Sequence, residues 1–434
     1  MLYPAVVVPT AGGGQATDKE TNPMNPSLST GLRTGAACLI AVAWNAAAWA
    51  QQPLVAPGPG APPAEAAAPT SNAMTVPAMT GPLVANPNPM SFDGGPLGKI
   101  YVTGALSGIG LFQNDPGIPP IGDHHSRVDF SSGLVQLQNT EGPFQFFVQT
   151  GLYSFPSLGL PYFQSWKATG DFFGPLPVAY AKIVPNDMFS IQVGKLPTLI
   201  GAEYAFTHQN MNIERGLLWA QEPIVSRGIQ ANLALGAVAL SASLNDGFYS
   251  DSYNWLSGSA AWTIDKQNTL SFVGGGNFDQ TSKNVFPKSP FFYNNSNIFN
   301  VIYTYNNAPW TIIPYFQYNN VPGNAFLGSP KGASTYGGAI LANYAINDNV
   351  SLAGRSEYIA TTGSLANGSV NLLYGPGSSA MSFTMTPTWQ DGIYFLRADV
   401  SVVHAFSTTP GFAFGRSGNS DTQARFVIET GILF

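Results

Sequence analysis

The last ten residues of the chain, RFVIETGILF (Arg425–Phe434), carry the decisive pattern. Phe426, Ile428, Thr430, Ile432 and Phe434 alternate with Arg425, Val427, Glu429, Gly431 and Leu433. Successive side chains of a β-strand point to opposite faces. The stretch therefore reads as a strand with one apolar, aromatic face and one face carrying two charges. A soluble edge strand with such a face would template pairing with other chains. Either a second sheet covers that face or lipid does.

Composition narrows the choice. Charged residues make up 9% of the chain, against about 25% in a typical soluble domain. Hydrophobic residues are an ordinary 44%, and the mean hydropathy is +0.06. Glycine (47 residues) and aromatics (12%) are abundant. No stretch after residue 50 approaches the ~18 consecutive apolar residues of a membrane helix. Low charge with hydrophobicity hidden in alternate positions suits a transmembrane β-barrel. Composition alone suits a secreted, soluble all-β protein equally well. The net charge of −6 and the pI near 5.1 argue against nucleic acid as a partner.

The N-terminus reads as an address. From Met24 the chain runs MNPSLSTGLRTGAACLIAVAWNAAAWAQQ. Arg33 supplies the positive region, 35–48 the apolar stretch, and Ala48-Trp49-Ala50 a small-x-small cleavage site. Residues 24–50 are thus expected to be a signal peptide, and residues 1–23 an upstream extension from a misplaced start. Cys38, the one cysteine, lies inside the signal, so the processed chain would hold no thiol chemistry. Residues 51–96 are rich in Pro and Ala and are expected to be a disordered periplasmic tether.

From residue 97 to 434 the pattern is strands and turns, about 16 strands in all, an even number as single-chain bacterial barrels have. Short turns such as NTEGP (139–143), NNAP (306–309) and NDN (347–349) alternate with long loops at 113–126, 154–172, 196–227, 246–254, 279–297, 319–333, 360–379 and 407–424. Short periplasmic turns and long external loops characterise outer-membrane barrels. The expected fold is all-β: an antiparallel up-and-down transmembrane barrel in the outer membrane of a Gram-negative-type envelope.

Alternation also sorts the charges. Arg355 and Glu357 share one face of VSLAGRSEYI, Arg397 and Asp399 one face of IYFLRADVSVV, and Arg127 and Asp129 one face of RVDFSSGL. Gln230 and Asn232 oppose Ile229, Ala231 and Leu233. An arginine on the lipid face near the midplane would cost about 2–4 kcal/mol. These residues, with Arg425 and Glu429, should therefore face the lumen as pore lining or as wall-bracing ion pairs. Phe434 should sit in the periplasmic aromatic girdle.

The stretch 189–256 carries GKLPTLIGAE, NIERGLLW, QEP and NDGFYS in order. It resembles the OmpL-like putative beta-barrel porin family. The resemblance implies an outer-membrane porin and brings neither a substrate nor catalytic residues. A terminal Phe like Phe434 also resembles the C-terminal signature of outer-membrane barrels, which implies recognition by the barrel assembly machinery.

The longest connection, 196–227, is the leading site candidate. Glu203, Glu214, Arg215 and Glu222 are dense charge for so charge-poor a chain. As the third long loop it is analogous to the porin constriction, where facing charges set a transverse field; the alternative is a solvated surface loop. No metal, cofactor or catalytic set is expected. His124 and His125 are adjacent and would diverge, His208 near Ser226 makes no triad by spacing, and the glycines at 274–276 precede no helix. His404 falls on the lipid-facing parity of its strand. The reading is a passive diffusion porin for small hydrophilic solutes or ions, its other partner being lipid. The alternative is a plugged or narrow barrel acting as an anchor or adhesin. A homo-oligomer is compatible with either.

Overall fold

The computed structural model describes residues 79–117, 123–283, 291–327 and 329–434. The expected extension (1–23) and signal peptide (24–50) lie outside the described residues, as does the leader up to residue 78. A short strand β1 (Met90–Asp93) precedes β2 (Lys99–Gln113), β3 (Ser126–Asn139), β4 (Phe144–Tyr153), β5 (Val178–Asn186) and β6 (Phe189–Pro197). There follow β7 (Val225–Leu235), β8 (Val238–Asn245), β9 (Trp255–Thr263), β10 (Asn268–Asn277), β11 (Asn297–Asn307) and β12 (Trp310–Val321). The last are β13 (Ala333–Ala345), β14 (Val350–Thr361), β15 (Ser379–Asp391), β16 (Tyr394–Phe406) and β17 (Thr422–Leu433). Helix α1 (Ser165–Asp171) lies between β4 and β5.

Strands β2 to β17 each pair antiparallel with the next. β17 closes on β2, from Arg425↔Gln113 to Leu433↔Ala105. The result is a closed barrel of 16 strands. Closure removes the unpaired edge, which every backbone group in lipid requires. Short turns join the strand ends at one rim (140–143, 187–188, 236–237, 264–267, 308–309, 346–349, 392–393), and long loops join them at the other.

The alternation read from the sequence is the alternation observed. Val128 is 83% exposed and Val400 58%, whereas Val427, Asp399 and Glu429 are fully buried. The outward face is apolar because nothing in the chain covers it; the inward face holds the polar groups. Trp310 sits opposite Tyr344, their rings 4.7 Å apart, in a belt at the short-turn rim. Phe434 docks on that side: its backbone pairs with Gly104, and its ring lies over it. Any Cβ at Gly104 would come within 2.4 Å of the ring, so the seam needs a glycine there.

Two expectations are corrected. β5 begins at Val178, not near residue 173. Phe172 and Phe173 belong instead to an aromatic cluster under the second long loop, with Phe155 5.9 Å from each and Tyr249 5.2 Å from Phe173. The disordered tether cannot extend to residue 96. Leu83 is buried among Ala105, Phe395 and Leu433, and β1 pairs with the start of β2. An apolar side chain fitting the barrel mouth and a strand partner outweigh the Pro/Ala composition.

Candidate functional site

The connection 198–224 turns into the barrel rather than over it. Its charged residues Glu203, Glu214, Arg215 and Glu222 are all buried. The wall side chains that parity sends inward meet it. Arg355 Nη1 donates to Glu203 Oε1 at 2.6 Å and to the Glu214 carbonyl at 2.6 Å. Glu357 accepts from the Leu217 N–H at 3.0 Å and the Ser382 hydroxyl at 2.6 Å. Arg397 Nη1 donates to the Asn210 carbonyl at 3.0 Å. Asp399 accepts the Glu214 N–H at 2.8 Å. Arg425 Nη1 reaches Glu214 Oε1 at 2.9 Å and the Ser157 carbonyl at 2.7 Å. Glu429 accepts the Thr207 hydroxyl at 2.6 Å. These are charge-assisted bonds in a water-poor interior, and several end on loop backbone atoms, so they hold the loop's path.

Glycine makes one of them feasible. A Cβ at Gly216, within the NIERGLLW stretch, would lie 2.1 Å from Glu357 Oε1. Only a glycine lets that carboxylate reach the backbone beside it.

The expected pairs within a strand are largely repartnered. Arg397 bonds Glu429 through Nε at 2.8 Å, across directly opposed positions of β16 and β17. Arg425 takes Glu214 instead of Glu429. Arg355 keeps Glu357 at 3.3 Å, but its shorter contact is Glu203. Side chains two apart along a strand stand roughly 7 Å apart, whereas opposed cross-strand neighbours lie about 5 Å apart. Asp129 is not part of an open lining: it accepts from the Ser165 N–H (2.6 Å) and hydroxyl (2.8 Å) at the start of α1, and from Tyr162. Arg127 is half-buried beside it on the same strand face. Gln230 and Asn232 face inward and bond each other at 2.7 Å.

Within the loop, Arg215 carries its guanidinium over the Trp219 ring at 5.3 Å and donates to the Ile213 carbonyl. Glu222 has no hydrogen-bond partner on either carboxyl oxygen among the described residues. Burial, with Glu203 and Glu357 nearby, pushes its carboxyl well above the usual range, which favours its neutral form. His208 packs on Phe206, and burial pushes its imidazole down to about 4. His125 Nδ1 lies 3.1 Å from the Gln113 carbonyl, and His404 Nδ1 2.7 Å from the Thr422 hydroxyl.

Sequence reasoning missed the chain's own second insertion into the lumen. The Thr80 N–H donates to the Gln209 carbonyl at 2.9 Å, at the loop's tip. The Val84 N–H and carbonyl bond the Gln390 side chain, each at 2.8 Å. The one signal available was Leu83, an apolar residue in an otherwise featureless segment.

The loop reaches both arcs: beside the charged clamp, its Leu218 carbonyl accepts from Gln317 of β12, its Gln221 side chain accepts from Thr335 of β13, and Leu217 and Leu218 pack with Ile313 and Leu341. Strands β14 to β17 supply most of the clamp. Strands β8 to β13 contain no charged residue at all. Their inward residues Ser257, Ser259, Ser271, Thr304, Asn306 and Thr311 are half-buried, whereas Arg355, Glu357, Arg397 and Asp399 are buried.

A closed 16-stranded antiparallel barrel with an apolar belt, long loops at one rim and one loop folded inside is a porin-type barrel. A family described as "Putative beta-barrel porin-2, OmpL-like" matches residues 99–434, and the chain belongs to it. Solved structures agree in fold. The trimer form of in-vitro-folded OmpT, an outer membrane protein of Vibrio cholerae, is 12% identical with a TM-score of 0.53, covering 77% of this chain and 99% of that one. An anion-selective porin from Comamonas acidovorans is 10% identical with a TM-score of 0.51 and the same coverage. No match was found among curated proteins.

Proposed function

We propose that the protein is a passive diffusion channel for small hydrophilic solutes in the outer membrane, narrowed by its inward loop. One observation carries this reading. The loop is bonded to the charged arc, while inward hydroxyls of β9 and β10 on the opposite arc keep solvent access. Its partners are lipid, the solutes, and the barrel assembly machinery that would read Phe434.

A second reading, a plugged barrel with an anchoring role, is favoured by the complete burial of the loop's carboxylates and by the segment seated at the loop tip. Planar-bilayer recording of the refolded chain separates the two. Uniform conductance steps, enlarged when residues 204–213 are deleted, support the channel. Silence from protein shown to be inserted supports the plug.

A further inference from the structure

We infer that the passage runs along β9 and β10 and selects for uncharged, hydroxyl-rich solutes of about sugar size over ions of similar size. The inference rests on the channel reading and adds the solute class.

The wall there is chemically uniform. Inward positions Ser257, Ser259, Ser271 and Thr304 offer hydroxyls, Asn306 an amide, and no strand from β8 to β13 holds an acid or a base. These five side chains are half-buried, so part of their hydrogen-bonding capacity is left to water or solute. The charged arc offers little to a solute, since its carboxylates and guanidiniums are buried and turned into the loop or into one another.

The physics of selection follows. A hydroxyl-rich neutral solute exchanges water contacts for wall hydroxyls and amides at little net cost. An ion in a narrow passage loses hydration, and a wall without countercharge returns none of it. The inward loop therefore serves in an unusual way: by engaging the charged side and packing on β11 to β13 it leaves the face of β9 and β10 as the route.

The test uses proteoliposomes of the full chain and three probes of matched size: glucose, gluconate and glucosamine. Glucose is expected to enter several-fold faster than either charged analogue, and the reversal potential in a KCl gradient should lie near zero. Ser259→Asp and Ser271→Asp, made separately so that one folding failure does not decide the matter, should each raise glucosamine entry several-fold and shift the reversal potential toward cations. Open channels that favour gluconate or glucosamine over glucose overturn the inference and leave the channel reading intact. The same holds for channels whose selectivity neither Asp variant moves. Inserted protein that passes nothing overturns both.

Discussion

The two arcs of this barrel share one strand pattern and differ in what faces inward. From β14 to β17, each inward face carries charge or hydroxyls that bond it. From β8 to β13, each carries only small polar or apolar groups. The charged side chains sit where the loop supplies partners for them, and nearly all are buried there. The neutral ones are half-exposed along β9 and β10 and buried against the loop's apolar side chains along β11 to β13. Charge in a membrane barrel is costly unless it is paired. Its placement therefore marks where the chain supplies partners to its own wall.

The comparison breaks most directly at Arg355. Arg355→Met strips the countercharge from buried Glu203 and Glu357. It should cost about 3–5 kcal/mol, the penalty for an uncompensated buried charge. Asn300→Ala, on the neutral side, should cost about 1 kcal/mol. Urea titration followed by the shift between folded and unfolded gel mobility reads both, and equal costs would mean that the arcs do not differ energetically. Gly216→Val comes next. It forces Glu357 away from the Leu217 N–H and should destabilise by about 1–3 kcal/mol, as overpacking does, with noisier channel currents as the loop loosens.

Leu83→Asp addresses the second insertion. It removes about 1.5–3 kcal/mol of apolar burial at most, and should enlarge conductance modestly without altering ion preference. A shift in ion preference would place the N-terminal segment on the neutral route. The smallest effect is expected at Glu222. Its carboxyl keeps a proton in the folded protein that the unfolded chain gives up once pH passes the ordinary carboxylate range. Stability from this site is therefore present at low pH and lost as pH rises toward its raised value. Glu222→Gln should flatten that loss between pH 5 and pH 8 in the same urea titration. A variant that retains the wild-type slope would show that Glu222 is ionised in the fold.

Much of this was legible in the alternation of residues. Period two separates Phe426 and Ile428 from Val427 and Glu429, and lipid cost decides which side is outside. All sixteen barrel strands could be read that way, because each strand's face is a local property. The partners of the charges could not. Arg397 and Asp399 are two apart in sequence, but Arg397 bonds a neighbour on the next strand and Asp399 a loop N–H. Register and the loop's path decide such contacts, and neither is written in a periodicity. The docking of Leu83 stayed hidden for the same reason, since a lone leucine among Pro and Ala acquires meaning only beside Phe395 and Leu433.

The seam has a geometric consequence. β17 runs along β2 until Leu433 meets Ala105 and Phe434 meets Gly104. β1 then takes over at Met90↔Val102 and continues in the same direction to Asp93↔Lys99. Along β2, the chain's C-terminus and Met90 lie end to end, two register positions apart. A short peptide joining Phe434 to Met90 would make the barrel a continuous ring of backbone, free to be cut anew at a tight turn such as 346–349. Such a circular permutant would keep every strand pair described above.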